Sequence, residues 1–145
     1  MGEAILKHHV RRAGGLDDVE VSSAGTARWH VGEPMDHRAA ASLQRGGYSP
    51  DAGVGAWATP EYLRDIALAV AMTREHRRDL LATRPDLRVV LLRELLGEGA
   101  LDVPDPYFGT DDDFDVCRET LERAIPALLQ EIREIRGPSA SRGAR

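Results

Sequence analysis

The run IALAVAM, Ile66 to Met72, constrains the fold more than any other segment. It does not alternate polar with apolar residues, and it is short and sharply flanked. That pattern predicts a strand buried on both faces, as in a parallel sheet covered by helices. Leu87 to Leu92 reads as a second apolar strand, and Val19 to Ser23 as a shorter third one, broken by Gly25. Helices are predicted between them. One spans Gly2 to Ala13, where Ala4, Ile5, Val10 and Ala13 line one face and Gly14-Gly15 end it. A second spans Asp36 to Arg45, with Asp36 as cap and Gly46-Gly47 as stop. Thr59-Pro60 opens a short helix to about Asp65, after a loop from Ser49 to Ala58. Thr73 caps Arg74 to Thr83, which Pro85 stops, and a short helix is expected around Arg93 to Leu96. The last helix is expected from Asp112 or Asp113 to about Ile135, kinked at Pro126, before a disordered tail, Gly137 to Arg145. Strands alternating with helices make an α/β fold. Ligands of such sheets sit beyond the carboxyl ends of the strands, so Thr26 to Asp36, Thr73 and the loop VPDPYFG (Val103 to Gly109) are expected at one end.

At 145 residues with 42% hydrophobic content, the chain suits one domain with a sizeable core. Its net charge of -5 argues against a nucleic-acid or membrane-surface partner. No apolar run approaches the roughly 18 residues of a membrane span, and Met1 to Arg12 does not resemble a signal peptide. One cysteine, Cys117, excludes a disulfide framework, and a reducing cytoplasm is the expected location. The histidines at 8, 9, 30, 37 and 76 show no metal-binding spacing, and no nucleotide-binding glycine motif occurs.

Asp105 stands between Pro104 and Pro106. Each proline fixes its own φ and biases the residue before it toward extended backbone. A carboxyl held so stiffly suits general-acid work; the same residues also suit a rigid turn ahead of a helix with acidic first residues. Trp29, Tyr107 and Phe108 are three rings at one expected sheet end, in a chain only 5% aromatic. They suit the wall of a cleft for an aromatic ligand, although Trp29 alone equally suits sealing a sheet edge. CRETLER, Cys117 to Arg123, formally satisfies the phosphatase signature C-x5-R. The chemistry rejects it: the segment is helical, has no glycine, and carries Glu119 and Glu122, which repel phosphate and disfavour a thiolate.

SSAGT (Ser22 to Thr26), WHVGEPMDHRA (Trp29 to Ala39), REHRRDLL (Arg74 to Leu81) and DVPDPYFGTDDDF (Asp102 to Phe114) together resemble the low-molecular-weight protein-tyrosine phosphatases, the actinobacterial-like members above all. The resemblance covers nearly the whole chain. It implies a single three-layer α/β domain over 1–136, phosphotyrosine-phosphatase-I-like, with parallel strands in the order 2-1-3-4. It also implies hydrolysis of a phosphotyrosine protein or small aryl phosphate through a cysteinyl-phosphate, without metal or cofactor. By match to D-P-Y-Y, Asp105 is the general acid and then the base. Trp29 and Tyr107 flank the substrate ring, Phe108 takes the second tyrosine position, and Ser23 supports the nucleophile loop.

Members of that family begin with an apolar strand, then C-x-G-N-x-C-R-S-P, then a helix starting near M-A-E-A. This chain starts MGEA. The expectation is a chain without central strand 1, nucleophile cysteine or phosphate-gripping arginine, inactive as it stands. An in-frame C-x5-R-S coding stretch upstream of Met1 would restore the enzyme; a stop codon there would favour a short product. Four departures tilt toward a decayed paralogue: AGVGA (Ala52 to Ala56) for an H-x-A-R-Q-like stretch, Thr73 for Asp, Phe108 for Tyr and His37 for Pro. The alternatives are a non-catalytic pseudophosphatase that binds phosphotyrosine or a partner protein and, further off, an arsenate reductase, which needs several redox cysteines.

Overall fold

The computed structural model describes residues 1–50, 53–99 and 101–137. In chain order the elements are α1 (Gly2–Arg12), α2 (His37–Arg45), α3 (Pro60–Leu63), β1 (Ala69–Ala71), α4 (Arg74–Thr83), β2 (Val89–Leu91), α5 (Leu92–Leu95) and α6 (Asp111–Arg136). β1 and β2 pair in parallel, with Val70 opposite Val90. Alternate residues along β1 and just after it enter different cores. Val70 and Met72 pack with Ile5 of α1, Leu43 of α2, and Leu121 and Ile125 of α6. Ala69 and Ala71 join Leu63 of α3, Leu80 of α4 and Leu91 of β2. The result is an α/β arrangement with helices on both faces of a parallel sheet.

Local chemistry explains most boundaries. Asp36, Thr59 and Thr73 each accept a hydrogen bond from a backbone N–H in the first turn of the helix that follows. α6 starts at Asp111, earlier than expected, because Thr110 and Asp113 cap it reciprocally. The helix continues through Pro126. α3 stops at Leu63 rather than Asp65, and α5 starts at Leu92 rather than Arg93. Both strands are shorter than expected. Ile66 is taken up in the turn leaving α3, where its carbonyl accepts from the Arg84 guanidinium at 2.6 Å. Leu87 closes a turn onto the Arg84 carbonyl, and Leu92 opens α5. Of the expected tail only Gly137 lies within the described residues.

Val19 to Ser23 corrects the sequence reading most. It is not a strand. Glu20 to Ala24 make no backbone hydrogen bond to any described residue, and pairing begins only with a parallel bridge from Gly25 to Trp57. β1 has β2 as its one strand neighbour among the described residues. A strand is a relation between two segments, and no described segment lies alongside residues 19–23 to pair with them. Each unmade ladder bond forgoes about 1 kcal/mol, against a whole-domain stability of about 5–15 kcal/mol. The chain is therefore expected to melt below the usual mesophilic range of about 45–65 °C, with a broad transition and dye-binding apolar surface. Differential scanning calorimetry checks this; a sharp monomeric transition inside that range would show that the sheet closes well with two strands.

Candidate active site

The loop 103–110 is anchored where β1 ends. The Val103 N–H donates to the Met72 carbonyl at 2.8 Å, and Asp102 accepts from both the backbone N–H (2.9 Å) and Nε (3.2 Å) of Arg74 at the head of α4. The loop thus leaves the carboxyl end of the sheet, where an open α/β fold binds ligands. Within it, Asp105 Oδ1 accepts the Tyr107 N–H at 3.0 Å, and Gly109 N–H donates to the Pro106 carbonyl. Asp105 itself is exposed. Gly109 has a steric reason: a Cβ there would come within 2.2 Å of Asp113 Oδ2, inside the capping pair of α6.

Three further segments reach this end. The Tyr107 ring lies 4.9 Å from that of Phe108, edge to face, and 5.8 Å from His30. His30 brings its neighbour Trp29 to the same region. Trp29 and Phe108 are 83% and 94% exposed, so neither ring seals the sheet or fills the core. The first turn of α1 arrives as well, with Gly2 close to Met72 and Leu121. Ser23 Oγ donates to Glu3 Oε2 at 2.7 Å in that same turn, and the neighbouring Ser22 Oγ accepts from the Tyr62 hydroxyl at 2.6 Å; these side chains hold a segment whose backbone is unpaired. Thr26 departs from expectation. It lines a cavity of about 440 Å³ with Trp57, Thr59, Asp79 and Thr83, which includes none of the loop residues.

The segment Trp29 to Glu33 is held by a partner that sequence reasoning took only as a departure. Gly32 N–H donates to the Gly55 carbonyl and Gly55 N–H to the Glu33 carbonyl, each at 2.8 Å. A Cβ on Gly55 would sit 2.1 Å from the His30 carbonyl oxygen, so the close approach requires glycine. Arg38 was also missed. Its guanidinium joins Asp36 to the Tyr107 carbonyl.

Electrostatically the site end is ordered by arginine–carboxylate pairs. The Arg38 guanidinium, through its hydrogen bond, holds Asp36 down at about 2. The Arg74 N–H and guanidinium lower Asp102, and Arg45 with Ser42 lowers Asp115. For a carboxylate depressed in the folded state, the stabilisation is complete above its unfolded value near 4 and is lost as pH falls through the folded value. Thermal stability is therefore expected to stay level from pH 7 to 5 as far as these groups go, and to fall between about pH 4 and pH 2. Melting curves across that range test it; Asp36→Asn should flatten part of the acid limb. Cys117 is half-buried in α6, and its thiol is pushed up, first by burial and then by Asp105, against the opposing Met1 ammonium.

Among the described residues no group of three or more His, Cys, Asp or Glu side chains is placed to hold a metal, and no helix is long and apolar enough to cross a membrane.

The chain is similar to known proteins in both sequence and fold. The family model described as low molecular weight phosphotyrosine protein phosphatase matches residues 1–136. A low molecular weight protein-tyrosine-phosphatase of Streptomyces coelicolor is 39% identical over 141 residues, covering 92% of this chain and 85% of the relative. Low molecular weight protein-tyrosine phosphatase A of Mycobacterium tuberculosis is 39% identical over 132 residues, covering 88% and 80%. A crystal structure of a low molecular weight phosphotyrosine phosphatase from Vibrio cholerae superposes with a TM-score of 0.80 at 27% identity, over 94% of this chain and 88% of that one. Matched along nearly its whole described length by sequence and by fold, this chain belongs to the low molecular weight phosphotyrosine protein phosphatase family.

Proposed function

We propose that these 145 residues form the leaving-group and ring-binding side of a phosphotyrosine phosphatase, and that the chain as it stands does not hydrolyse phosphate esters. Asp105 is the proton donor to the departing aryl oxygen and then the base toward water. Tyr107, Phe108 and Trp29 flank the aryl ring, and Ser23 supports the nucleophile loop. The substrate is a phosphotyrosine protein or a small aryl phosphate, met in the cytoplasm by a single domain spanning 1–136.

One observation carries the reading. Asp105 is exposed, stands between two prolines, and is followed at once by the exposed rings of Tyr107 and Phe108 at the carboxyl end of β1. A general acid needs that placement, and a merely structural turn does not need rings around it. Inactivity follows from what the 145 residues offer a phosphate. Cys117, the one thiol, lies inside α6, whose N–H groups at that depth bond to the preceding turn. The test is a chimaera that places a strand and a C-x-G-N-x-C-R-S-P loop ahead of Met1. Release of phosphate from phosphotyrosine is the expected result, and a folded chimaera that releases none would overturn the reading.

A non-catalytic role, in binding a partner through the exposed rings, is the second reading. The exposure of Trp29 and Phe108 favours it.

A further inference from the structure

Among the described residues, hydrogen bonds from other elements tie the loop that carries Asp105 at two places. One is its start, through Asp102 and Val103. The other is a side chain from another element, 69 residues away in sequence. Arg38, in the first turn of α2, donates Nη2 to the Tyr107 carbonyl at 2.8 Å and Nη1 to the Gly109 carbonyl at 3.4 Å. The same guanidinium donates Nε and Nη2 to the two oxygens of Asp36, at 3.2 and 2.9 Å. Its carbon lies 4.6 Å from the centre of the Phe114 ring and 5.8 Å from that of Tyr107. One planar group therefore binds the cap of α2, two carbonyls of the acid loop and a ring in the first turns of α6.

We propose that Arg38 is the positioning residue of this site, holding the Tyr107–Gly109 backbone so that Asp105 and the Tyr107 ring keep a fixed relation to each other. Its functional weight rests on the reading of Asp105 as proton donor; its structural claim does not. Asp36 fixes the plane of the fork from below. Asp36 also accepts the Arg38 backbone N–H at 2.8 Å, so the anchor is itself held by the helix it caps. The Tyr107 carbonyl then fixes the residue whose own N–H binds Asp105 Oδ1. A lysine ammonium can satisfy one or two of these acceptors but cannot span them in one plane or stack on Phe114.

The test is hydrogen exchange on the full chain, comparing Arg38→Lys and Arg38→Ala with the parent. The readout is the Tyr107 and Gly109 amides, with the Leu121–Leu128 interior of α6 as internal reference. Losing a charge-assisted hydrogen bond is expected to speed exchange at both loop amides about tenfold or more relative to that reference, in both variants. Unchanged loop exchange would overturn the proposal. Rescue by lysine would reduce Arg38 to a point charge beside Asp36. Equal acceleration in α6 would make it a general stability residue. If Arg38→Ala does not fold, Asp36→Asn removes the anchor while keeping the guanidinium, and a smaller acceleration confined to the loop is expected; none would again overturn it. No readout here depends on turnover, so a failure of Asp105 as acid and a failure of Arg38 as its strut give different results.

Discussion

Purified as its 145 residues, the protein is expected to hydrolyse p-nitrophenyl phosphate no faster than buffer, and Cys117→Ser to change nothing. Covalent phosphoryl transfer requires an activated thiolate and donors aimed at the transferring oxygens. Cys117 supplies neither. Burial raises its thiol and Asp105 adds to the rise, which disfavours the thiolate. Its helical surroundings present Glu119 and Glu122 rather than a row of free N–H groups. Loss of a nucleophile alone removes about a million-fold from a serine protease. Steady-state release of nitrophenolate checks this. Turnover that disappears in Cys117→Ser would reinstate the CRETLER motif as a catalytic one.

In the chimaera that carries a nucleophile loop, Asp105→Asn is expected to lower kcat by about 10²- to 10⁴-fold, the usual cost of a general acid. The loss should depend on the leaving group. Phenolates that depart readily need little protonation, so their esters should lose least, and esters of poorly acidic phenols most. KM should change little, because Asp105 meets the leaving oxygen mainly as its bond to phosphorus breaks. A set of substituted phenyl phosphates supplies the measurement. An equal loss across the set would make Asp105 a structural residue of the loop.

What the sequence revealed follows the range of each interaction. Caps at Asp36, Thr59 and Thr73 were legible because the donor lies two or three residues from the acceptor. The stiffness around Asp105 was legible because two prolines impose it locally. That Val19 to Ser23 forms no strand was not legible, because apolar character cannot say whether a neighbour is there to pair with. Gly55 looked like a departure from the family pattern, yet its reason is a carbonyl 25 residues earlier in the chain, that of His30. Arg38 stood inside a quoted motif without a role, since its acceptors belong to a loop that only the fold brings near. Local chemistry was readable, and the contacts that aim the loop were long-range.

The measurement that most directly separates the possibilities is intact-protein mass spectrometry after rapid acid quench of a reaction with an aryl phosphate. It reports whether a cysteine has taken up phosphate, and which one. The expected result is no phosphate adduct on the 145-residue chain, and an adduct on the loop cysteine of the chimaera that accumulates further in Asp105→Asn, which hydrolyses it slowly. A phosphate adduct on Cys117 of the unaltered chain would contradict this directly.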